Sequence, residues 1–485
     1  MDHIQGIDRD QLTLFPEALD DYISQDNPVR FIDAFVDSLD LQSLGFTHAI
    51  PASTGRPPYH PGDLLGLYVY GYLNRLRSSR LLEREAGRNL ELVWLLGKLT
   101  PDFKTIADFR KDNRKAIRQV CRAFVLLCRD LHLFGGELVA IPKEHRDGVD
   151  GSKFKASNNR ARNVTQRQLK RQLKDLDQKI DTYLHDLDER DEAEPDAPKL
   201  TAQELQEKIE ALKARRGQLL DLSQEMEDTG QTQISLTDPD SRSMPSGGGQ
   251  VTDVSYNVQV AVDQKHKLIV DHEVTNEPTD RNLLHPMALR AQEVLGVDHL
   301  EVVADMGYAS GQQVKACLES GITPYLPQAN TSANSALGLF GKQDFRHDPA
   351  QDGYLCPAGE VLTFHFETQD AGRHYRVYST SACGTCPLKP RCTRSRGNRR
   401  ITRWVDEAIL EAMAERVRAH PEKIKLRKCL VEHPFGTIKR HWNQGFFLTR
   451  GLSKVKAEMS LTVLAYNIQR VVKILGVPRM IEALA

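Results

Sequence analysis

The chain is predicted to fold as a mixed α/β protein, and three observations carry that prediction. Apolar residues recur at three- and four-residue steps from Asp63 to about Leu131. The period then shortens to alternation in VSYNVQVAVD (Val254–Asp263) and KLIVDHEV (Lys267–Val274). Beyond these, helix-like and strand-like stretches succeed one another as far as the strand ITPYLP. The composition agrees: 485 residues, 40% hydrophobic and 27% charged, which excludes a disordered or fibrous protein. This length predicts two to four domains at roughly 100–200 residues each. No run approaches the roughly 18 apolar residues of a membrane span, and the start MDHIQGIDRDQLTLF lacks a signal pattern, so a cytoplasmic protein with no membrane partner is expected. With 65 Lys and Arg against 66 Asp and Glu, any surface for nucleic acid must be a local matter of charge distribution.

Taken in order, the first clear element is HPGDLLGLYVYGYL, where Leu65, Tyr68, Tyr72 and Leu76 share a helical face ahead of Arg75, Arg77, Arg80 and Arg84. Those arginines fit a solvated helix surface or a DNA contact equally well. Next, Ile117, Val120, Cys121, Phe124, Val125, Cys128 and Leu131 form one apolar stripe. Leu169, Leu173, Leu176, Ile180, Tyr183 and Leu187, followed after an acidic linker by Leu205, Ile209, Leu212 and Leu219, predict an antiparallel helical hairpin, with Thr201 and Glu204 as a capping box. It serves either as an insertion packed on its own seam or as an oligomerisation element. Ser241–Gln250 reads as a flexible linker. The two alternating segments make a hairpin about Gln264-Lys265-His266, and ELVAI, VDGSKF and HLEVVAD (His299–Asp305) are the remaining strands of a mixed sheet, with helices over Asp280–Leu295 and Gly311–Ser320.

Two acids stand at strand ends, Asp150 in GVDGSKFKA and Asp305 in VVADMGYAS, where α/β sheets build their sites. Oxygen-seeking ions such as Mg²⁺ are held by a few carboxylates together with substrate phosphate. Glu432, in RKCLVEHPFGTIKRHW, is the candidate third acid, with Arg427 and Lys428 before it and Lys439 and Arg440 after it. On a helix Lys439 would lie two turns on, although Pro434 and Gly436 imply a kink or a nearby helix start.

The motifs VDGSKFKASNNR, YNVQVAVD, VVADMGYAS, CPLKPRC, VEHPFGTIKR, HPGDLLGLYVYGYL and PDFKTIADFRKDN together resemble the bacterial insertion-sequence transposases of the DDE type, in the group with a large core insertion and a late cysteine cluster. The resemblance implies an RNase H-like mixed-sheet core in which Asp150, Asp305 and Glu432 bind two Mg²⁺ (or Mn²⁺) ions, with Arg427, Lys428, Lys439 and Arg440 near phosphate. It also departs from the family. Similar chains run their strand straight into the first aspartate, whereas here PKEHRDGV intervenes, so Asp147 competes with Asp150 for the first position. The tyrosine usual near the glutamate has no counterpart, since Lys425 stands seven residues before Glu432.

Eight cysteines are too few for a disulfide scaffold in so long a chain. Cys356, Cys383, Cys386 and Cys392 follow C-x26-C-x2-C-x5-C, a spacing suited to a structural Zn²⁺, while Cys121, Cys128, Cys317 and Cys429 read as buried small side chains. Just after the cluster, Lys389, Arg391, Arg394, Arg396, Arg399, Arg400 and Arg403 form an acid-free run with Trp404 available to stack on a base. Lys153 and Lys155, with Arg160 and Arg162, give a second basic patch.

The expected organisation is an N-terminal helical DNA-binding domain (1–135), a first part of the core (136–160), the helical hairpin and linker (161–249), a second part of the core (250–330), the cysteine-bearing insertion with its basic arm (331–420) and a C-terminal helical part (421–485). The expected activity is metal-dependent cleavage at insertion-sequence ends and strand transfer into target DNA by a homodimer, because joining two ends needs two active sites. The alternatives are a decayed or repurposed DNA-binding copy, and a simple metal-dependent nuclease or phosphatase that cleaves without joining.

Overall fold

The structure, a computed structural model, describes residues 18–51, 53–54, 57–141, 153–159, 162–191, 202–228, 230–231, 233–246, 251–327, 334, 337–370 and 372–484. These divide into two compact units, one drawn from 1–136, 142–278 and 430–485, the other from 137–141 and 279–429. Each unit therefore combines pieces that lie far apart in the chain. Among the described residues no helix is long and apolar enough to cross a membrane.

The first unit begins with helices Pro28–Asp37, Pro61–Leu73, Ser79–Ala86, Leu90–Leu95, Phe103–Asp112 and Arg114–Asp130. Their starts follow from local chemistry. Pro28 and Pro61 occupy first turns, where an amide has no partner to lose, and the Asn27 and Asp102 side chains accept hydrogen bonds from the first free backbone N–H groups. The predicted stripe from Ile117 to Cys128 is buried, while Leu131 falls at the cap and is half-buried.

These helices share their core with the C-terminal helix Leu452–Leu475, which is buried without interruption from Ala457 to Ile468. A helix apolar nearly all round has to lie inside a protein. It packs against Pro61–Leu73, Arg114–Asp130 and the strand Ile269–Thr275. Its polar groups are matched there: the Asn467 amide donates to the Ile269 carbonyl (2.8 Å) and its oxygen accepts from the Ile269 N–H (2.9 Å).

The strands of this unit are antiparallel. Val251–Asp263 pairs with Lys153–Lys155, Arg242–Ser246 and Ile269–Thr275, with Phe154 opposite Tyr256. The expected turn after Asp263 is fixed by that buried carboxylate, which accepts from the backbone N–H groups of Gly135, Gly136 and Lys265. The linker expected over Ser241–Gln250 is corrected in its first half. Arg242–Ser246 is a strand with Met244 fully buried, because the long strand extends far enough to offer it an edge.

The helical hairpin is formed by Gln166–Asp191 and Ala202–Asp228. Val164, Leu169, Leu219, Met226 and Ile234 make its core, with Leu173, Leu176 and Leu222 against it. A short antiparallel pair, Asn163–Thr165 with Gln233–Ser235, closes its base. Thr201 lies outside the described residues.

The second unit has three parallel strands, Leu138–Ala140, Leu300–Val303 and Ile322–Tyr325, with Leu300–Val303 in the middle, and helices Leu284–Leu295 and Gly311–Glu319 between them in sequence. Parallel and antiparallel pairs both occur, so the mixed α/β class holds. A five-stranded antiparallel sheet follows, in the order Arg346–Asp348, Gly353–Leu355, Val361–Asp370, Arg373–Ser379 and Arg400–Trp404. Its core is Phe345, Tyr354, Leu362, Tyr378 and Ile401. Helices Glu407–Ala419 and Pro421–Phe435 come next.

Candidate functional site

Asp305 stands just beyond the strand Leu300–Val303, after the buried Ala304 and before a short 3-10 turn. Its side chain is about a quarter exposed, and Arg427 Nη2 lies 3.9 Å from its Oδ1. Arg427 is buried, and its Nε makes no hydrogen bond among the described residues. One turn earlier on the same helix, Lys423 reaches the Glu301 carboxylate (2.5 Å) and the Tyr325 hydroxyl (3.0 Å). Tyr325 in turn donates to Glu301 (2.9 Å). Lys423 and Arg427, four residues apart, thus direct one helix face onto the ends of the two parallel strands.

Glu432 sits late in helix Pro421–Phe435 and is exposed, as are Lys425 and Lys428 two turns and one turn before it. Pro434 lies inside the helix, without an N–H to return to Leu430, and the chain continues as a π-helical stretch, Gly436–His441. Within that stretch Lys439 donates from its ammonium to the Lys153 carbonyl (2.5 Å) and lies 4.7 Å from the Phe154 ring centroid. Phe435 and Phe447 pack on the same ring. Beside Glu432, His433 Nδ1 and the Tyr466 hydroxyl are 2.9 Å apart, and burial pushes the His433 imidazole down to about 4, so it is neutral at pH 7.

Asp150 and its competitor Asp147 lie outside the described residues, and Asp305 and Glu432 belong to different units. Among the described residues no group of three His, Cys, Asp or Glu side chains stands in metal-holding geometry.

The basic residues separate into two kinds. Arg394, Arg396, Arg400 and Arg440 are exposed, with Arg400 over the Phe366 ring at 5.7 Å. Arg399 is half-buried and donates to the Phe340 carbonyl (3.3 Å). Lys155 is exposed and pairs with Asp253 (2.9 Å), whereas Lys153 is buried. Arg403 and Trp404 are corrected: Arg403 is paired with Glu411 (2.5 and 2.8 Å), and Trp404 is turned inward beside Gly311, so neither is available to a base. Arg77 likewise belongs to the core, 3.5 Å from the wholly buried Glu458.

Cys356, Cys383, Cys386 and Cys392 line one cavity at the edge of the five-stranded sheet, with Phe340, Phe345 and Leu362 as its apolar wall. All four are partly buried, and burial raises the Cys392 thiol. Thiolates are the donors that zinc takes, but the four side chains are not drawn together into metal-holding geometry in this structure. Cys121, Cys128 and Cys317 are buried as expected, but Cys429 is exposed, because its helix turns Arg427 and Leu430 inward and leaves residues 428 and 429 outside.

Residues 17–112 match a family described as transposase domain (DUF772), and residues 355–472 match one described as transposase DDE domain. The second match takes in Glu432 and the four clustered cysteines, and neither includes Asp150 or Asp305. No curated protein and no solved structure matches the chain. The two family matches, at opposite ends of the chain, support its recognition as an insertion-sequence transposase of the DDE type.

Proposed function

We propose that the chain cleaves DNA at insertion-sequence ends and joins those ends to target DNA, using an RNase H-like core in which Asp150, Asp305 and Glu432 supply the carboxylates. The observation that carries this reading is the loose pairing of Asp305 with the buried Arg427. At 3.9 Å the pair is too long for a good charge-assisted hydrogen bond, and a guanidinium whose Nε has no hydrogen bond among the described residues is suited to a phosphate oxygen held at the same acid. Asp305 and Glu432 offer the hard oxygen donors that Mg²⁺ or Mn²⁺ requires, and such ions, when bound, neutralise phosphate charge and lower the pKa of water. Arg427 would orient the phosphodiester, and the exposed Lys428, Arg394, Arg396 and Arg400 would hold flanking phosphates. The four cysteines would hold one structural Zn²⁺ that ties the sheet's connecting segments together. The chain would act as a homodimer on DNA in the bacterial cytoplasm.

The decisive experiment is Mg²⁺-dependent cleavage of labelled DNA bearing the element's ends. Activity is expected to vanish in Asp150→Ala, Asp305→Ala and Glu432→Ala with end binding retained, to survive in Asp147→Ala, and to fall roughly 100-fold in Arg427→Gln. Cleavage that persists in Glu432→Ala removes that residue from the role.

A further inference from the structure

We propose that a cleft in the first unit is a phosphate site for the DNA backbone, built from side chains other than the proposed acids. The inference rests on the reading of this chain as a DNA-processing protein. Arg110, Lys111, Ser157, Thr449, Arg450 and Lys454 line the cleft, and among the described residues no Asp or Glu does. Arg450 Nε lies 3.4 Å from the Ser157 hydroxyl. Arg110 and Lys111 come from the first matched segment and the other cations from the second, so the two transposase matches build the cleft jointly.

The local charge balance explains why an anion belongs there. Arg77 and Arg110 reach into the same interior, where Glu458 is the acid, and Glu458 is already committed. One oxygen faces Arg77 (3.5 Å) and accepts from the Leu448 N–H (2.9 Å), while the other accepts from the Thr449 N–H (2.9 Å) and hydroxyl (2.7 Å). Arg110 lies over the Tyr68 ring at 5.5 Å with the Tyr72 hydroxyl beside it, and among the described residues neither its buried Nη1 nor that hydroxyl has a partner in good hydrogen-bond geometry. Lys111 has Asp108 at 3.8 Å, with both side chains about half exposed, a contact that neutralises little. Asp238 also acts on Arg450, and Asp240 accepts from the Leu452 N–H (2.8 Å). What favours an anion is therefore the four cations that line the cleft itself, Arg110, Lys111, Arg450 and Lys454, at a partly desolvated position where they attract it more strongly than at an open surface. Planar guanidinium donors with flanking ammonium groups suit a phosphate oxygen pair, and phosphate contacts dominate affinity for DNA.

The test uses the full chain and the double variant Arg450→Gln/Lys454→Gln, with the thermal midpoint as a check that folding is unchanged. Affinity for duplex DNA is measured from low to high salt. The slope of log K against log salt should become shallower by about one, with a roughly tenfold loss of affinity, equally for end-bearing and random duplexes. A variant with the native slope and affinity overturns the cleft while leaving the transposase reading untouched. If the native chain binds neither duplex, the transposase reading fails and inorganic phosphate decides. Under matched ionic strength, phosphate should then raise the native thermal midpoint relative to chloride, and the double variant should lose that shift. No shift in the native chain overturns the site.

Discussion

The helical hairpin Gln166–Asp228 and the five-stranded sheet Arg346–Trp404 are small bodies of similar chain length held together in different ways. The hairpin is closed by a leucine seam whose members are near neighbours along each helix, and its core residues Leu169 and Leu219 are almost completely buried. The sheet has five core side chains, three of them aromatic, and its longest strand leaves Phe364 and Phe366 about 40% exposed beneath arginines. Four cysteines line a cavity at that core's edge. A regular seam can stabilise a helical pair, whereas so small a sheet core needs additional cross-links.

If that contrast is right, the largest effect belongs to the sheet. Cys383→Ser should abolish a stoichiometric zinc and expose the segment 340–404 to protease, while the helical hairpin stays resistant. Metal analysis and limited proteolysis check both parts, and purified native protein without zinc would remove the cross-link from the comparison. Next, Leu219→Ala should destabilise the hairpin by about 2–5 kcal/mol, the usual range for a buried leucine, read by thermal or denaturant unfolding. A Cβ on Gly311 would meet the Trp404 ring at 2.7 Å, so Gly311→Ala should cost about 1–3 kcal/mol despite alanine's better helix propensity. The smallest effect is expected for Arg216→Gln, which breaks the pair with Asp177 (2.6 Å). Both side chains are nearly half exposed, and the loss should stay within about 1 kcal/mol. A larger loss would mean that the hairpin depends on more than its seam.

The same contrast separates what could be read from residues and what could not. The hairpin was legible because Leu169, Leu173 and Leu176 repeat at the period of the helix that buries them. The alternating VLTFHFETQ and HYRVYS carried a strand signal of the same kind, obscured by the cysteines and arginines around them. Asp305 was expected at a strand end and is found there. The basic run after the cysteines was harder to interpret. Its Arg403 is taken by Glu411, and Trp404 turns inward, while Arg394 and Arg396 in the same run are exposed.

By itself, the sequence determined the periodic elements, the position of an acid at a strand end and the cysteine spacing, because these depend on residues within a few turns or strand steps of one another. Tertiary structure alone decided which charges are already committed. Arg77 meets Glu458 across 381 residues of sequence and Lys439 meets the Lys153 carbonyl across 286. A local period specifies which face is buried, but whether a cation on that face is spent in an ion pair or left for phosphate depends on the distant segment that packs against it.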